Sequence, residues 1–442
     1  MKTRLANLWE SFRTGYWFVP TIMTVGSFAL WVLMLLIEEP VQGQLVNRLG
    51  WVFGGGPEGV RGVLSAIAGS MITVTGVVFS VTIVSLTLAS QQFGPRLLRH
   101  FMRDRGNQIV LGTFISTFLY CLLVLRTIRG TEETTYVPHI SATVGVILAV
   151  ASVGVLIYFI HHVAALMQAP RIVAEVAEEL STTIETSFPD AAEKDGEGNP
   201  VAEVVQIPRC FDVESRPVRY HKNGYLQVID KESLMEKAEK YDLLLRLTFR
   251  AGDFIVAGST VAMVWPGDIL DERLEEEVAN TFIVGPVRTP TQDPGFLFDE
   301  LAEVAVRSLS PSVNDPFTAM NCIDHLSAAL VKLGNRPPRS IYLHGESGEL
   351  RIIANFLTFE EALRKSFDHI RQYSASSAPV TNHLLDTLQA IALLLQPERR
   401  HQLLQQATMI NRGSRYLTEK HDRAEAGARF KAFTEILKHD QR

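Results

Sequence analysis

Four stretches without Asp, Glu, Lys or Arg constrain this chain more than any other feature. They lie between Arg13 and Glu38 (24 residues), Arg61 and Arg96 (34), Arg105 and Arg126 (20), and Glu133 and Arg171 (37). An α-helix rises 1.5 Å per residue, so about 20 apolar residues cross a hydrocarbon core about 30 Å thick. Each stretch holds one crossing, and the spacing predicts spans over Tyr16–Ile37, Val63–Ala89, Gln108–Leu125 and Ile140–His161. A buried soluble helix mimics one such stretch, but hardly four in succession.

Basic residues set the expected orientation. Lys2, Arg4 and Arg13 precede the first span, and Arg96, Arg99, Arg103 and Arg105 follow the second. The alternate loops carry only Arg48 with Arg61, and Arg126 with Arg129. The positive-inside rule then places both termini, the second loop and everything after His162 in the cytoplasm. The first span is too long for a signal-peptide core and is expected to stay in the membrane. Trp17 fits an interfacial anchor.

Charge divides the chain in the same place. The net of −6 over 442 residues combines +4 before residue 170 with −10 after it. A chain that is 47% hydrophobic is not largely disordered. An acidic balance argues against nucleic acid as a partner. The cysteines, Cys121, Cys210 and Cys322, are odd in number and lack metal-ligand spacing, so neither a disulfide framework nor a metal site is expected.

The second span is rich in hydroxyls: Ser65, Ser70, Thr73, Thr75, Ser80, Thr82, Ser85, Thr87 and Ser90, with Gly69 and Gly76 among them. At helical spacing Gly69, Thr73, Gly76, Ser80, Thr87 and Gln91 form one stripe, and Thr75 and Thr82 begin another. Lipid offers a hydroxyl no partner, so such a stripe is expected to face protein or water. Two readings fit: close packing through small residues, or the wall of a water-filled path in a homo-oligomer. No charged residue lies mid-span, which argues against a proton relay or ion-coupled pump. A passive channel works with hydroxyls, carbonyls and apolar constrictions. Gly94 and Pro95 predict a bend where the span ends. The Arg96, Arg99, Arg103 and Arg105 cluster beyond it reads as a topology signal touching anionic lipid, or as a positive ring at an inner pore mouth that favours anions.

The runs GVVFSVTIVSLTLASQQFGPRLLRHFMRDRGNQ (Gly76–Gln108), RSLSPSVNDPFTAMNCIDHL (Arg307–Leu326) and IRQYSASSAPV (Ile370–Val380) resemble one bacterial family of predicted membrane proteins, domain of unknown function 2254. The resemblance covers nearly the whole chain. It implies an inner-membrane protein with several N-terminal spans and a cytoplasmic C-terminal region. It supplies no reaction, ligand or catalytic residue.

Beyond about Pro170 the composition is that of a soluble domain. Phe188–Pro200 reads as an acidic surface loop. VAEVVQI, RPVRY, GYLQVID, YDLLLRLTF, DFIVAG and TVAMVW read as strands, with a short helix over Glu232–Tyr241. The turns at Ala251-Gly252-Asp253 and Gly258-Ser259-Thr260 resemble the hammerhead barrels of biotinyl and lipoyl carriers. Carriers need a lysine in a tight turn, and no Lys occurs between Lys240 and Lys332, so a small structural barrel is expected instead. From Gly267 the pattern is largely helical, DILDERLEEEVANTF included. One β-hairpin around Glu346-Ser347-Gly348-Glu349 interrupts it.

Between two of these helices, Ser310-Pro311-Ser312-Val313-Asn314-Asp315-Pro316 reads as a stop and restart, with Asp315 as N-cap and Pro316 at the first helical position. Alternatively Arg307, Ser310, Asn314 and Asp315 meet a ligand or a neighbouring subunit. His161 and His162 read as interfacial residues. No HExxH, GxSxG or P-loop occurs, so no enzymatic activity and no cofactor is expected.

The fold expected is thus an α-helical membrane protein with four transmembrane helices and a cytoplasmic α+β domain, which holds a small β-barrel-like part and a helical part. The divisions are 1–169, 170–266 and 267–442. The function expected is a homo-oligomeric channel for ions or small solutes, with the second span lining the pore and the cytoplasmic region gating or assembling it. The alternative is a membrane-anchored sensor or scaffold that binds a metabolite or protein.

Overall fold

The computed structural model describes residues 17–41, 56–94, 104–131, 134–166, 168–188 and 207–439. The chain divides into two compact units, Met1–Arg171 and Ile172–Arg442.

Among the described residues, the first unit contains four helices long and apolar enough to cross a membrane: α1 (Phe18–Val41), α2 (Pro57–Phe93), α3 (Arg105–Thr127) and α4 (His139–Leu166). They coincide with the four charge-free stretches. α2 starts on Pro57, whose fixed φ and missing N–H suit a first helical position, and stops at Gly94, which takes a φ of 105°. α3 starts behind Asp104, whose carboxylate accepts from the N–H groups of Gly106 and Asn107 at 3.1 and 3.3 Å. The hairpin β1 (Arg129–Thr131) and β2 (Thr134–Tyr136) links α3 to α4.

α3 packs against the other three spans and buries Val110, Phe114, Tyr120, Cys121 and Val124. The apolar core lies in two clusters, one around Val60, Leu64, Tyr120 and Val124, the other around Met71, Val78, Phe114 and Phe159. Thr117 and Ser152 share a hydroxyl hydrogen bond of 3.2 Å between α3 and α4, and the Tyr120 hydroxyl donates to the Ser141 carbonyl at 3.0 Å. Bonds of this kind hold helices together where hydrocarbon offers no other partner.

The second unit begins within α5 (Ala169–Ser187), which buries Ile172, Val173, Val176, Leu180 and Ile184, mostly at three- and four-residue spacing. After the single turn α6 (Phe211–Glu214) come β3 (Arg216–Arg219), β4 (Gly224–Ile229), α7 (Lys231–Lys240), β5 (Leu244–Leu247), β6 (Phe254–Ile255), β7 (Thr260–Trp265), α8 (Glu272–Ala279) and β8 (Phe282–Gly285). Two helices follow, α9 (Pro294–Ser308) and α10 (Pro316–Gly334), then the hairpin β9 (Tyr342–His344) and β10 (Leu350–Ile353). α11 (Phe359–Tyr373), α12 (Ala378–Leu394), α13 (Arg400–Gly413) and α14 (Lys420–His439) complete the unit.

The strands do not close into the small barrel expected from the sequence. They form a five-stranded sheet, β3-β7-β5-β10-β9, and a separate three-stranded sheet, β6-β4-β8. Every pairing is antiparallel except β5 with β10. The physical reason lies in β4, which pairs with β6 and β8 instead of staying beside β5 or β7. One apolar core then satisfies both open sheets: Leu226 and Ile255 from one, Leu245, Val264 and Ile352 from the other, with Leu234 of α7 and Val278 of α8. The edge strand β3 carries Arg216, Pro217 and Arg219, which discourage a further strand from pairing. The expected helix DILDERLEEEVANTF is confined to Glu272–Ala279, and Phe282, Ile283 and Val284, good strand formers, belong to β8. Residues 201–206 of the expected strand VAEVVQI, and residues 189–200 of the expected acidic loop, lie outside the described residues.

Ion pairs tie the sheets to the helices. Arg250 forks onto Glu361 at 2.7 and 3.1 Å, holding the Glu361 carboxyl below the usual carboxylate range. Arg288 reaches Asp293 at 2.6 Å and Asp299 at 2.9 Å, and Lys365 donates to Asp299 at 2.8 Å. Gly252, at φ +96°, leaves room for the buried Asp293 carboxylate, which a β-carbon there would occupy.

Candidate functional site

The hydroxyl stripe of α2 faces away from its own helix bundle. At 3.6 residues per turn, Val78 lies nine residues, about two and a half turns, beyond Gly69, so the two point to opposite sides of the helix. Val60, Leu64, Met71, Val78 and Ala89 are buried in the bundle. Gly69, Thr73, Gly76, Ser80, Thr87 and Gln91 are all exposed on the opposite side. A β-carbon added at Gly69 or Gly76 would meet nothing within 4 Å. Each hydroxyl donates back along its own helix: Thr73 to the Gly69 carbonyl at 2.9 Å, Ser80 to Gly76 at 2.8 Å, Thr87 to Ile83 at 2.9 Å. Thr75 and Thr82 sit half-buried toward the bundle, bonded to Met71 and Val78 carbonyls at 2.7 and 2.8 Å. Among the described residues, the stripe therefore takes no part in packing within one chain.

Arg105 is the exposed first residue of α3, while Arg96, Arg99 and Arg103 lie outside the described residues. Beside Arg105, the Asp104 carboxylate does more than cap α3. Its Oδ2 is 2.7 Å from His162 Nε2 at the end of α4, and His162 Nδ1 is 3.3 Å from the Tyr158 hydroxyl. Tyr158 and His162 stack with ring centroids 5.1 Å apart. His162 is thus a bolt between two spans rather than only an interfacial residue. The i, i+4 spacing of Tyr158 and His162 was readable in the sequence; Asp104, 58 residues away, carried no signal.

Glu38 is the residue that charge counting treats as a mere boundary. It is fully buried, and its Oε1 accepts the Ile140 N–H at 2.9 Å. Its Oε2 accepts the Ser141 N–H at 2.9 Å and the Ser141 hydroxyl at 2.8 Å. A carboxylate from α1 thereby caps the first turn of α4, where free N–H groups and the helix dipole favour negative charge.

In the second unit, Arg307 pairs with Glu303 one turn earlier on α9, at 3.0 Å. The Ser310 and Ser312 hydroxyls bond each other at 3.1 Å, and Asn314 takes a φ of 49°. Asp315 caps α10, accepting from the N–H groups of Phe317 and Thr318 at 3.1 Å and from the Thr318 hydroxyl at 2.6 Å. Each of these four residues engages its own neighbours along the chain. Val313 and Phe317 protrude beside them, with Phe317 75% exposed. Asp324 meets His383 of α12 at 2.6 Å. Among the described residues no group of His, Cys, Asp and Glu is arranged to hold a metal ion. Burial pushes the Cys322 thiol well above its ordinary value, which makes it a poor nucleophile.

Residues 13–390 match the family of predicted membrane proteins named domain of unknown function 2254. The chain belongs to that family. Within it, the chain is similar to uncharacterized proteins from Mycobacterium bovis and from two strains of Mycobacterium tuberculosis, each 31% identical over 439 residues, with 96% of this chain and 81% of each relative covered. No solved structure matches the chain. For this member of the 2254 family, the four apolar helices and the family description agree on a membrane protein.

Proposed function

We propose that this protein is a homo-oligomeric channel of the bacterial inner membrane, with the outward face of α2 lining a path for ions or small solutes. The observation that carries this reading is the orientation of the stripe. A polar, small-residue face directed away from its own bundle would contact lipid in an isolated chain, where its hydroxyls keep their own-helix bonds but their remaining lone pairs find no donor. Several copies around an axis turn that face onto water or onto one another. α2, 37 residues and therefore about 55 Å long, exceeds the hydrocarbon thickness and extends the face beyond one leaflet. In this reading both termini and the second unit are cytoplasmic, as the basic flanks suggest, and the second unit assembles or gates the path.

The test is flux through the full-length protein reconstituted in liposomes and planar bilayers. Single cysteines at Thr73, Ser80 and Thr87 should react with membrane-impermeant thiol reagents and block the current. A cysteine at Val78 should not. Silence under every ionic condition and voltage, or currents indifferent to Ser80→Leu and Thr73→Leu, would overturn the reading.

A further inference from the structure

Within the second unit, many of the cations have acidic partners. Arg246 pairs with Asp212, Arg250 with Glu361, Arg288 with Asp293, Lys332 with Glu185, and Arg429 with Asp386. Lys231 and Arg339 are two half-buried cations without one, in a region that carries ten more acidic than basic residues. Lys231 is the first residue of α7, and Arg339 lies between α10 and β9. They converge on one ring: Lys231 Nζ is 4.8 Å and Arg339 Cζ 4.3 Å from the centroid of Phe356. The ring is held in place, because the Phe356 carbonyl accepts from Arg250 Nη1 at 3.1 Å and Arg250 is itself forked onto Glu361. Arg339 donates to the Ser187 carbonyl at 2.8 Å, which leaves its charge uncompensated. Among the described residues neither Lys231 nor Arg339 has a carboxylate within ion-pair distance.

Two half-buried cations over one aromatic ring are costly to hold together. Burial, assisted by the Arg339 charge, lowers Lys231 to about 8 from its ordinary 10.5, and burial lowers Arg339 as well. A bound anion removes both penalties at once, and a phosphate group offers enough oxygens to accept from a guanidinium fork and an ammonium together. We infer that Lys231 and Arg339, set over Phe356, form a binding site for a phosphate group. The site is separate from the α2 stripe and stands whether or not that stripe conducts.

A phosphate can come from a soluble phosphorylated compound or from a lipid headgroup, and the experiment separates the two. Full-length protein is placed in nanodiscs of phosphatidylcholine alone, and its lysines are labelled by ¹³C reductive methylation for a pH titration by NMR. Inorganic phosphate, against chloride at equal ionic strength, should raise the Lys231 pKa by about one unit, a tenfold tighter hold on its proton. It should also protect Lys231 from acylation at pH 8, read by mass spectrometry. In a second arm, nanodiscs containing phosphatidic acid without free phosphate should produce the same shift if the source is lipid. Arg339→Met should abolish the effect in whichever arm shows it, and Arg339→Lys, which restores the charge, should retain most of it. No shift and no protection in either arm would overturn the site. So would an effect that survives unchanged in Arg339→Met.

Discussion

Glu38 offers a sharp test of how the membrane unit is held together. Its carboxylate has no solvent exposure and accepts three hydrogen bonds from the start of α4, two from backbone N–H groups and one from the Ser141 hydroxyl. Glu38→Ala leaves the Ile140 and Ser141 N–H groups without that acceptor, at about 1–3 kcal/mol for each buried donor. The expected loss is therefore about 2–6 kcal/mol, less any relaxation of the helix end. Glu38→Gln keeps one acceptor oxygen but turns an amide N–H₂ toward a donor, so it should fall about midway. The assay is unfolding of the full-length protein in bicelles with added dodecyl sulfate, together with hydrogen exchange at individual amides. Exchange at Ile140 and Ser141 should quicken in Glu38→Ala, while amides in the middle of α3 stay protected. If Glu38→Ala shifts stability by under about 0.5 kcal/mol, the range of ordinary surface substitutions, and leaves those two amides unchanged, the carboxylate is not the cap described.

Three further outcomes are expected. Thr73→Leu and Ser80→Leu should alter unfolding by no more than about 0.5 kcal/mol, because these side chains bond only to their own helix; gel filtration or crosslinking should nevertheless show changed self-association. Asp315→Ala should cost about 1–2 kcal/mol through loss of the α10 cap, read as a lower thermal midpoint of the full-length protein. For Lys231 the folded pKa lies below the unfolded one, so the unfolded chain binds more protons between about 8 and 10.5, and stability rises with pH across that window. Phosphate-free Lys231→Met should accordingly be more stable than the parent at neutral pH, and the advantage should shrink as the pH passes from 8 to 10.5; equal midpoints at both ends would contradict this.

Features governed by local chemistry were legible in the sequence. The four spans follow from runs without charge, and the restart at Asp315-Pro316 follows from a capping side chain next to a residue that needs no N–H. The strands from Arg216 to Trp265 follow from alternation. Their neighbours do not, because alternation fixes which face a strand buries and not which strand lies beside it. β8 and β10 join from 282 onward and from 350 onward, which is why a barrel looked plausible and two open sheets formed. The stripe on α2 was visible as a period, but its direction was not. Lipid and bundle are both apolar, so hydropathy cannot tell which side of a span meets which. Glu38, His162 and Lys231 escaped for a common reason: each takes its meaning from a partner between 58 and 125 residues away, Asp104 for His162, Phe356 for Lys231, and Ile140 with Ser141 for Glu38.

The inward donation of the Thr73, Ser80 and Thr87 hydroxyls has an electrical consequence. With each hydrogen directed at a helix carbonyl, what these groups turn outward is oxygen lone pairs. The face is formally neutral, yet its outer skin carries partial negative charge at roughly two-turn intervals along the helix axis. In the proposed path, water lying against it would turn its hydrogens toward the protein. A small cation shedding part of its hydration would find replacement oxygens there, whereas an anion would find no donor until a hydroxyl let go of its carbonyl. Polarity of this sign follows from three hydrogen bonds and not from any charged residue; a path lined by this face, as proposed above, would favour positive ions.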